Sequence, residues 1–299
     1  MKKLVPALLL ASVLFACKKN TSTGEIPTNP ENRYPVSFSV TNFLVETQSM
    51  RVATDASLSK ITDVYYFAYG SDNLLKSSIH QDTANNKTGF GIIKDSLPAG
   101  TYTIVLYASN GPVARNGGAN LNWADLGPQQ INQTTVGSMP DVFFKKFIDT
   151  VTDAPSVNPQ DVSLNRITGL LRVELYDALP ASHPNGEVKL YVAPINGNYS
   201  FSSLGTTMGS KDVYGIRRNQ TTFEEYLFGS PYTMWVHILY KDKVTGQSKS
   251  KTFENNIKVE TNKKTIIKGY LYGAPDTTQG DFHLKVNTSF TDSTVINLN

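Results

Sequence analysis

The chain has 299 residues, with 28 Lys and Arg against 25 Asp and Glu, a formal net charge of +3 and a single cysteine. That balance leaves no basic surplus for nucleic acid, and one thiol cannot close an intrachain disulfide, so stability must come from buried apolar area. The length suits one large or two ordinary domains, and two is the expectation for a chain this rich in strand-forming residues.

The sequence opens on Lys2 and Lys3, continues through an apolar run from Leu4 to Phe15, and reaches Leu14-Phe15-Ala16-Cys17. A helix that crosses a bilayer needs about 20 apolar residues, so a run this short reads as an export signal. Leu-x-Ala-Cys places the only thiol where bacterial lipoprotein processing attaches a diacylglyceryl group. Residues 1–16 are therefore expected to be a removed lipoprotein signal peptide, and Cys17 the lipidated residue that holds the protein to a membrane. Residues 17–34, rich in Lys, Asn, Thr, Pro and Glu, cannot bury a core and read as a flexible tether.

From Pro35 the texture changes. Pro35 to Val40 alternates apolar and polar residues, extended by Phe43, Leu44 and Val45, as a half-buried strand would. Thr62 to Tyr69 and Leu74 to His80 flank the turn residues Gly70-Ser71-Asp72-Asn73 and read as a hairpin. Leu97-Pro98-Ala99-Gly100 predicts a second turn, and Thr101 to Ala108 a central strand. Residues 109–139 lose this periodicity; they read as a long excursion with a short helix near Trp123. Asp141 to Thr150 restores a strand, and the Pro- and Asn-rich stretch 152–159 marks the boundary between a domain at 35–157 and one at 158–299. In the second, Val162 to Tyr176 predicts a strand that bends or bulges at Gly169. Further strands are expected at Glu187–Ala193, Tyr232–Tyr240, Ser248–Val259, Lys264–Tyr272 and Asp281–Val286, with Phe290 to Leu298 as a further candidate and Thr222 to Phe228 as the best helical one. About a dozen short strands with hardly any helix imply an all-β fold of antiparallel sandwiches.

Candidates for chemistry are sparse. His80, His183, His237 and His283 lie far apart in sequence, and none has a second His or Cys at zinc spacing. No nucleophile elbow, phosphate loop, dinucleotide fingerprint or calcium loop occurs, so no cofactor, metal or catalytic residue is assigned. On a helix Glu224 and Glu225 would diverge by about 100° and could not act as an acid and base pair. Most of the 15 Tyr and 14 Phe fall at strand positions and read as core. Trp123, in the excursion, is the residue to test first for stacking on a sugar ring.

A lipobox Cys17, a polar tether, the first strand PVSFSVTNF, the hairpin TDVYYFAYGSDNLL, and the segments LPAGTYTIVLYASN, DVFF, VSLNRITGLLRVEL and NKKTIIKGYLYG together resemble the fimbrillin superfamily. These are the FimA-type fimbrial subunits of Bacteroidetes and their lipid-anchored accessory subunits. The resemblance implies two tandem antiparallel Greek-key β-sandwich domains, transthyretin-like, in an outer-membrane lipoprotein that builds or anchors a pilus and joins other fimbrial subunits by strand donation. It implies no catalytic residues. In stalk subunits of this family a cut after an arginine removes the first strand and opens a groove for a neighbour's strand. Here Arg33 precedes that strand and Arg51 follows it, and only a cut after Arg51 would discard it; an anchor that keeps its lipid would leave both intact. The C-terminal segment, Asp281 to Asn299, could donate a strand or complete its own domain. The rival class is a glycan-binding lipoprotein on the same kind of tether.

Overall fold

The computed structural model describes residues 32–44, 61–127, 135–136, 139–153, 158–176, 187–193, 196–208, 212–218, 221–229, 233–242, 244–272, 282–289 and 292–297. These residues form strands and turns without a helix. The first ten strands are β1 (Arg33–Leu44), β2 (Asp63–Tyr69), β3 (Leu75–Asp82), β4 (Ile92–Pro98), β5 (Gly100–Ser109), β6 (Ala114–Asn116), β7 (Asp125–Gly127), β8 (Thr135–Val136), β9 (Val142–Val151) and β10 (Gln160–Arg166). Seven of them make one sheet in the order β3-β2-β5-β9-β10-β1-β4. That sheet curls until its two edges meet: the Gln81 side-chain amide on β3 donates to Ile92 O on β4 and accepts from Gly91 N, both at 2.9 Å.

Inside the curl, Phe38, Val40, Val64, Tyr66, Ile93, Leu97, Ile104, Leu106, Phe143 and Leu164 form a core. Because side chains alternate along a strand, the neighbours of these residues face outward. On β2, β5 and β9 the outward residues are also apolar, and Phe67, Tyr69, Val105, Tyr107, Val142 and Phe144 pack into a second core. Burial on both faces explains why these strands read as nearly continuous apolar runs rather than as alternation.

The second core is covered by a small sheet that mixes both halves of the chain. Its order is β14-β13-β7-β6, where β13 is Asn196–Ser200 and β14 is Thr206–Met208. Phe201, just after β13, is fully buried between Phe67, Tyr107 and Phe144 at ring-centroid distances of 6.3, 6.3 and 5.5 Å.

The remaining strands are β11 (Thr168–Leu175), β12 (Glu187–Ala193), β15 (Asp212–Arg218), β16 (Thr222–Phe228), β17 (Met234–Lys241), β18 (Ser248–Ile257), β19 (Lys264–Gly269), β20 (Phe282–Ser289) and β21 (Asp292–Asn297). Two five-stranded sheets, β16-β11-β19-β20-β21 and β18-β17-β12-β15-β8, face each other across a core of Leu171, Val173, Val188, Leu190, Phe223, Val236, Ile238 and Ile267. This is a β-sandwich. Most pairings are antiparallel as expected, while β1 with β10, β11 with β19 and β8 with β15 run parallel.

Several local expectations change. Thr222–Phe228 is a strand, not a helix: Phe223, Glu225 and Leu227 are buried while Thr222 and Glu224 are exposed, a period of two that tertiary pairing with β11 imposes on a short apolar segment. Near Trp123 the chain makes hydrogen-bonded turns, Trp123 N to Asn120 O at 3.1 Å and Ala124 N to Leu121 O at 3.3 Å, and no helix. β10, placed in the second half by composition, pairs with β1 and β9 of the first sheet. Gly169 lies inside β11, where a Cβ would meet Glu260 O at 2.2 Å; it permits close backbone approach rather than making a bulge.

Burial also sets a pH dependence. Desolvation raises the pKa of Tyr65, from 10.0 to about 12, with the Asp63 carboxylate adding to the shift, and raises those of Tyr66 and Tyr107 further. A group whose folded pKa lies above its unfolded value adds stability that is intact below the unfolded pKa and lost as pH rises through the folded one. Stability is therefore expected to be insensitive to these phenols below about pH 10 and to fall from there through pH 12. Tyrosinate absorbance should show these three phenols titrating late, with the unfolding transition; full titration of all tyrosines at pH 10 to 11 in the folded chain would contradict the burial.

Candidate functional site

β1 lies between β4 and β10, and its seat can be built residue by residue. Along one edge Arg33 to Ser39 pair antiparallel with Pro98 to Ile92 of β4; along the other, Phe38 to Leu44 pair in parallel with Gln160 to Asn165 of β10. Phe38 and Val40 are buried in the inner core, with Tyr34 and Val36 packed against it. The Phe38 ring lies 5.7 Å from both Tyr66 and Phe147. Val40 N donates to Gly91 O at 2.8 Å, and the Ser37 hydroxyl donates to Ile93 O at 3.2 Å.

β1 is also what attaches its neighbours. β4 is an edge strand whose backbone ladder runs to β1, and its other side is held through Gln81. β10 pairs with β9 only at Asn165–Phe144 and Arg166–Phe143, whereas its ladder with β1 is longer. Taking β1 away would leave two strands with open edges and an apolar slot lined by Tyr66, Ile93, Leu97 and Leu164.

Gly91 shapes the seat. It has φ of +84°, and a Cβ there would stand 2.8 Å from Val40 O. Gly89 has a similar φ of +81° with open space around it. Gly91→Ala should therefore lower the urea midpoint more than Gly89→Ala, which carries only the left-handed backbone penalty of about 1–2 kcal/mol. Equal effects would mean that β1 does not press on this glycine.

A buried polar cluster sits where β10 gives way to β11. The Arg166 guanidinium, within hydrogen-bonding distance of both Asp141 carboxylate oxygens at 3.0 and 3.1 Å, also donates to Asn262 Oδ1 at 3.1 Å. The Thr168 hydroxyl donates to Asp141 Oδ1 at 2.6 Å, and Asn262 N donates to Thr168 O at 2.8 Å. Arg166 also lies over the Phe143 ring at 5.0 Å. The cluster thus ties the start of β9, the end of β10, the start of β11 and the turn before β19. Its sequence signal was present: in Val162, Leu164 and Arg166 a charge occupies the third inward position of an apolar alternation.

Of the residues singled out by sequence, Cys17 and Arg51 lie outside the described residues, as does His183. Arg33 is the first residue of β1, paired with Pro98, and its guanidinium donates to Ser96 O at 3.1 Å. Trp123 lies in the turn between β6 and β7 and is 74% exposed. The histidines stay apart: His80 Nε2 lies 2.8 Å from Asp63 Oδ1, His237 Nδ1 lies 2.8 Å from the Thr252 hydroxyl, and His283 is in β20. Among the described residues no three His, Cys, Asp or Glu side chains gather to hold a metal. Glu224 pairs with Arg172 in solvent while Glu225 is buried, so the two glutamates occupy opposite faces of β16. Both C-terminal strands pair within the chain, β20 with β19 and β21 with β20, and β21 is the last strand of its sheet.

Fold and seat together define an all-β protein of a curled sheet and a sandwich, with its first strand inserted between two others. Residues 28–293 match the family model of fimbrillin-A associated anchor proteins Mfa1 and Mfa2, and the chain belongs to that family. Among solved structures it is similar to a candidate polysaccharide-binding protein of Bacteroides thetaiotaomicron, at 11% identity and a TM-score of 0.57 over 89% of this chain and 98% of that one. It is also similar to a candidate adhesin of Bacteroides ovatus, at 12% identity and a TM-score of 0.50 over 89% and 95% of the two chains. At these identities the likeness is one of fold. No curated protein matches the sequence.

Proposed function

We propose that this chain is a structural, non-enzymatic fimbrial subunit at the cell surface that serves as an anchor, held to the outer membrane by lipid on Cys17 and joined to other fimbrial subunits by strand pairing. The observation that carries this reading is the anchor-family match over residues 28–293, which takes in all of β1. Retention of β1 goes with an anchor, because a cut after Arg51 would sever the lipid together with the strand. Arg33 is an unsuitable cleavage point in the folded chain, since its backbone is already paired in the sheet and a protease must draw its substrate out of such pairing. The strand suited to donation is β21, which among the described residues has a partner along one edge only. Tandem Greek-key domains and a boundary near 157/158 remain part of the proposal, with the sheet of β6, β7, β13 and β14 joining the two halves.

Membrane attachment is tested with Cys17→Ser. The variant should leave the membrane fraction, lose palmitate incorporation and release fimbriae into the medium. A variant that stays in the membrane with fimbriae attached would overturn the anchor reading.

A further inference from the structure

The turn that carries Trp123 is not used by the fimbrial reading, and it does not stand alone. Three turns meet at one end of the curled sheet. Leu75 N, after the β2–β3 turn, donates to Ala119 O at 2.7 Å; Leu121 N donates back to Asn73 O at 2.9 Å; and Phe201 N, entering the β13–β14 turn, donates to Ala124 O at 2.9 Å. Each turn leaves one large apolar side chain in solvent: Leu74 is 45% exposed, Trp123 74% and Leu204 48%. Leu204 also holds a left-handed φ of 53°, a conformation that disfavours a branched side chain. Single exposed apolar residues are ordinary, but three on adjoining turns drawn from distant parts of the sequence form a patch.

The patch is held firmly. Gly117 has φ of +80° and lies so close to Trp123 that a Cβ would meet the Trp123 carbonyl at 1.5 Å. Asn122 N donates to Asn120 Oδ1 at 2.9 Å, and the two turn bonds at Trp123 and Ala124 complete the loop. A side chain presented on such a loop loses little further freedom on binding.

The surroundings select the ligand. The charged groups nearby are occupied by partners: Asp72 pairs with Lys76 at 2.7 Å, the Asp125 carboxylate accepts from Asn116 and Asn198, each at 3.0 Å, and Lys146 Nζ donates to Ser202 O at 2.9 Å. The other exposed polar residues on and next to the Trp123 and Leu204 turns are neutral, namely Asn116, Asn122, Ser202 and Ser203. A protein partner would need a contact of about 800 Å² on each side, well beyond three side chains. An uncharged ligand with an apolar face and many hydroxyls fits both halves of the patch.

We infer that this tip is a carbohydrate-binding site, in which Trp123 stacks on the C–H face of a neutral hexopyranose while Asn122, Ser202 and Ser203 serve its hydroxyls. Leu74 and Leu204 flank the stacked ring. The site is independent of the anchor role, since β1 and Cys17 take no part in it.

Calorimetric titration of the intact chain with cellohexaose and with mannohexaose tests this. At least one of the two should bind saturably. Trp123→Ala should weaken that binding by about tenfold or more, while Trp235→Phe keeps it within about threefold. Because the indole is exposed, the alanine variant should keep the parental melting temperature, which separates lost contact from lost fold. Binding unchanged in Trp123→Ala, or no saturable binding of either probe by the parent, would overturn the proposal. So would Trp123-dependent self-association in sedimentation, which would make the tip a contact between copies of the chain.

Discussion

A chain that begins at Val52 is expected to lose its curled sheet. Burying Phe38 and Val40 alone contributes roughly 3–6 kcal/mol, a large share of the 5–15 kcal/mol by which domains are usually stable. The backbone loss compounds it, since β4 would keep only its Gln81 attachment and β10 only two rungs to β9. Near-ultraviolet circular dichroism of the truncated chain should show collapsed aromatic signals from the inner core, where Tyr66, Tyr102 and Phe143 lie. A synthetic peptide of residues 33–44 should restore them, because it returns both the ladder and the side chains that fill the slot. A peptide with Phe38→Ala should be markedly less effective, the deletion of a buried Phe side chain costing about 3–5 kcal/mol. A truncated chain that melts like the parent would show that β1 is dispensable to the fold.

The second large effect is expected at the buried ion pair. Arg166→Met or Asp141→Leu should each destabilise the chain by about 3–5 kcal/mol, because either change leaves the remaining charge buried without its main partner. Replacing both, with Arg166→Met and Asp141→Leu, should cost less than the two single changes combined, since the desolvation of both charges disappears with the attraction. Urea unfolding of the four proteins reads this directly. Additive losses would mean that the pair is not coupled as its 3.0–3.1 Å contacts imply.

The strands that sequence reading located best are those with unbroken aromatic and β-branched composition. Asp63–Tyr69 and Gly100–Ser109 fall within a residue or so of where TDVYYFAY and TYTIVLYA place them. β4 is hard to see in the sequence because Lys94, Asp95 and Ser96 interrupt its apolar positions, leaving Ile93 and Leu97 as the inward signal. TFEEYLF was ambiguous over so few residues, and pairing with β11 decided it. The first strand was legible from its alternation, but not its two neighbours: the β10 ladder joins residues more than a hundred positions apart, and nothing local encodes such a contact. The same holds for the Asp141–Arg166 cluster and for the three turns around Trp123. Composition could mark the tryptophan, while only the tertiary bonds place Leu74 and Leu204 beside its loop.

The anchor reading turns on whether β1 stays with the chain. N-terminal sequencing with intact mass measurement of the mature protein, shaved or extracted from the surface of the cells that make it, tests this most directly. The expected mature chain starts at a lipid-modified Cys17 and retains residues 33–44; a mature chain that starts at Val52, with no lipid, would contradict the anchor role.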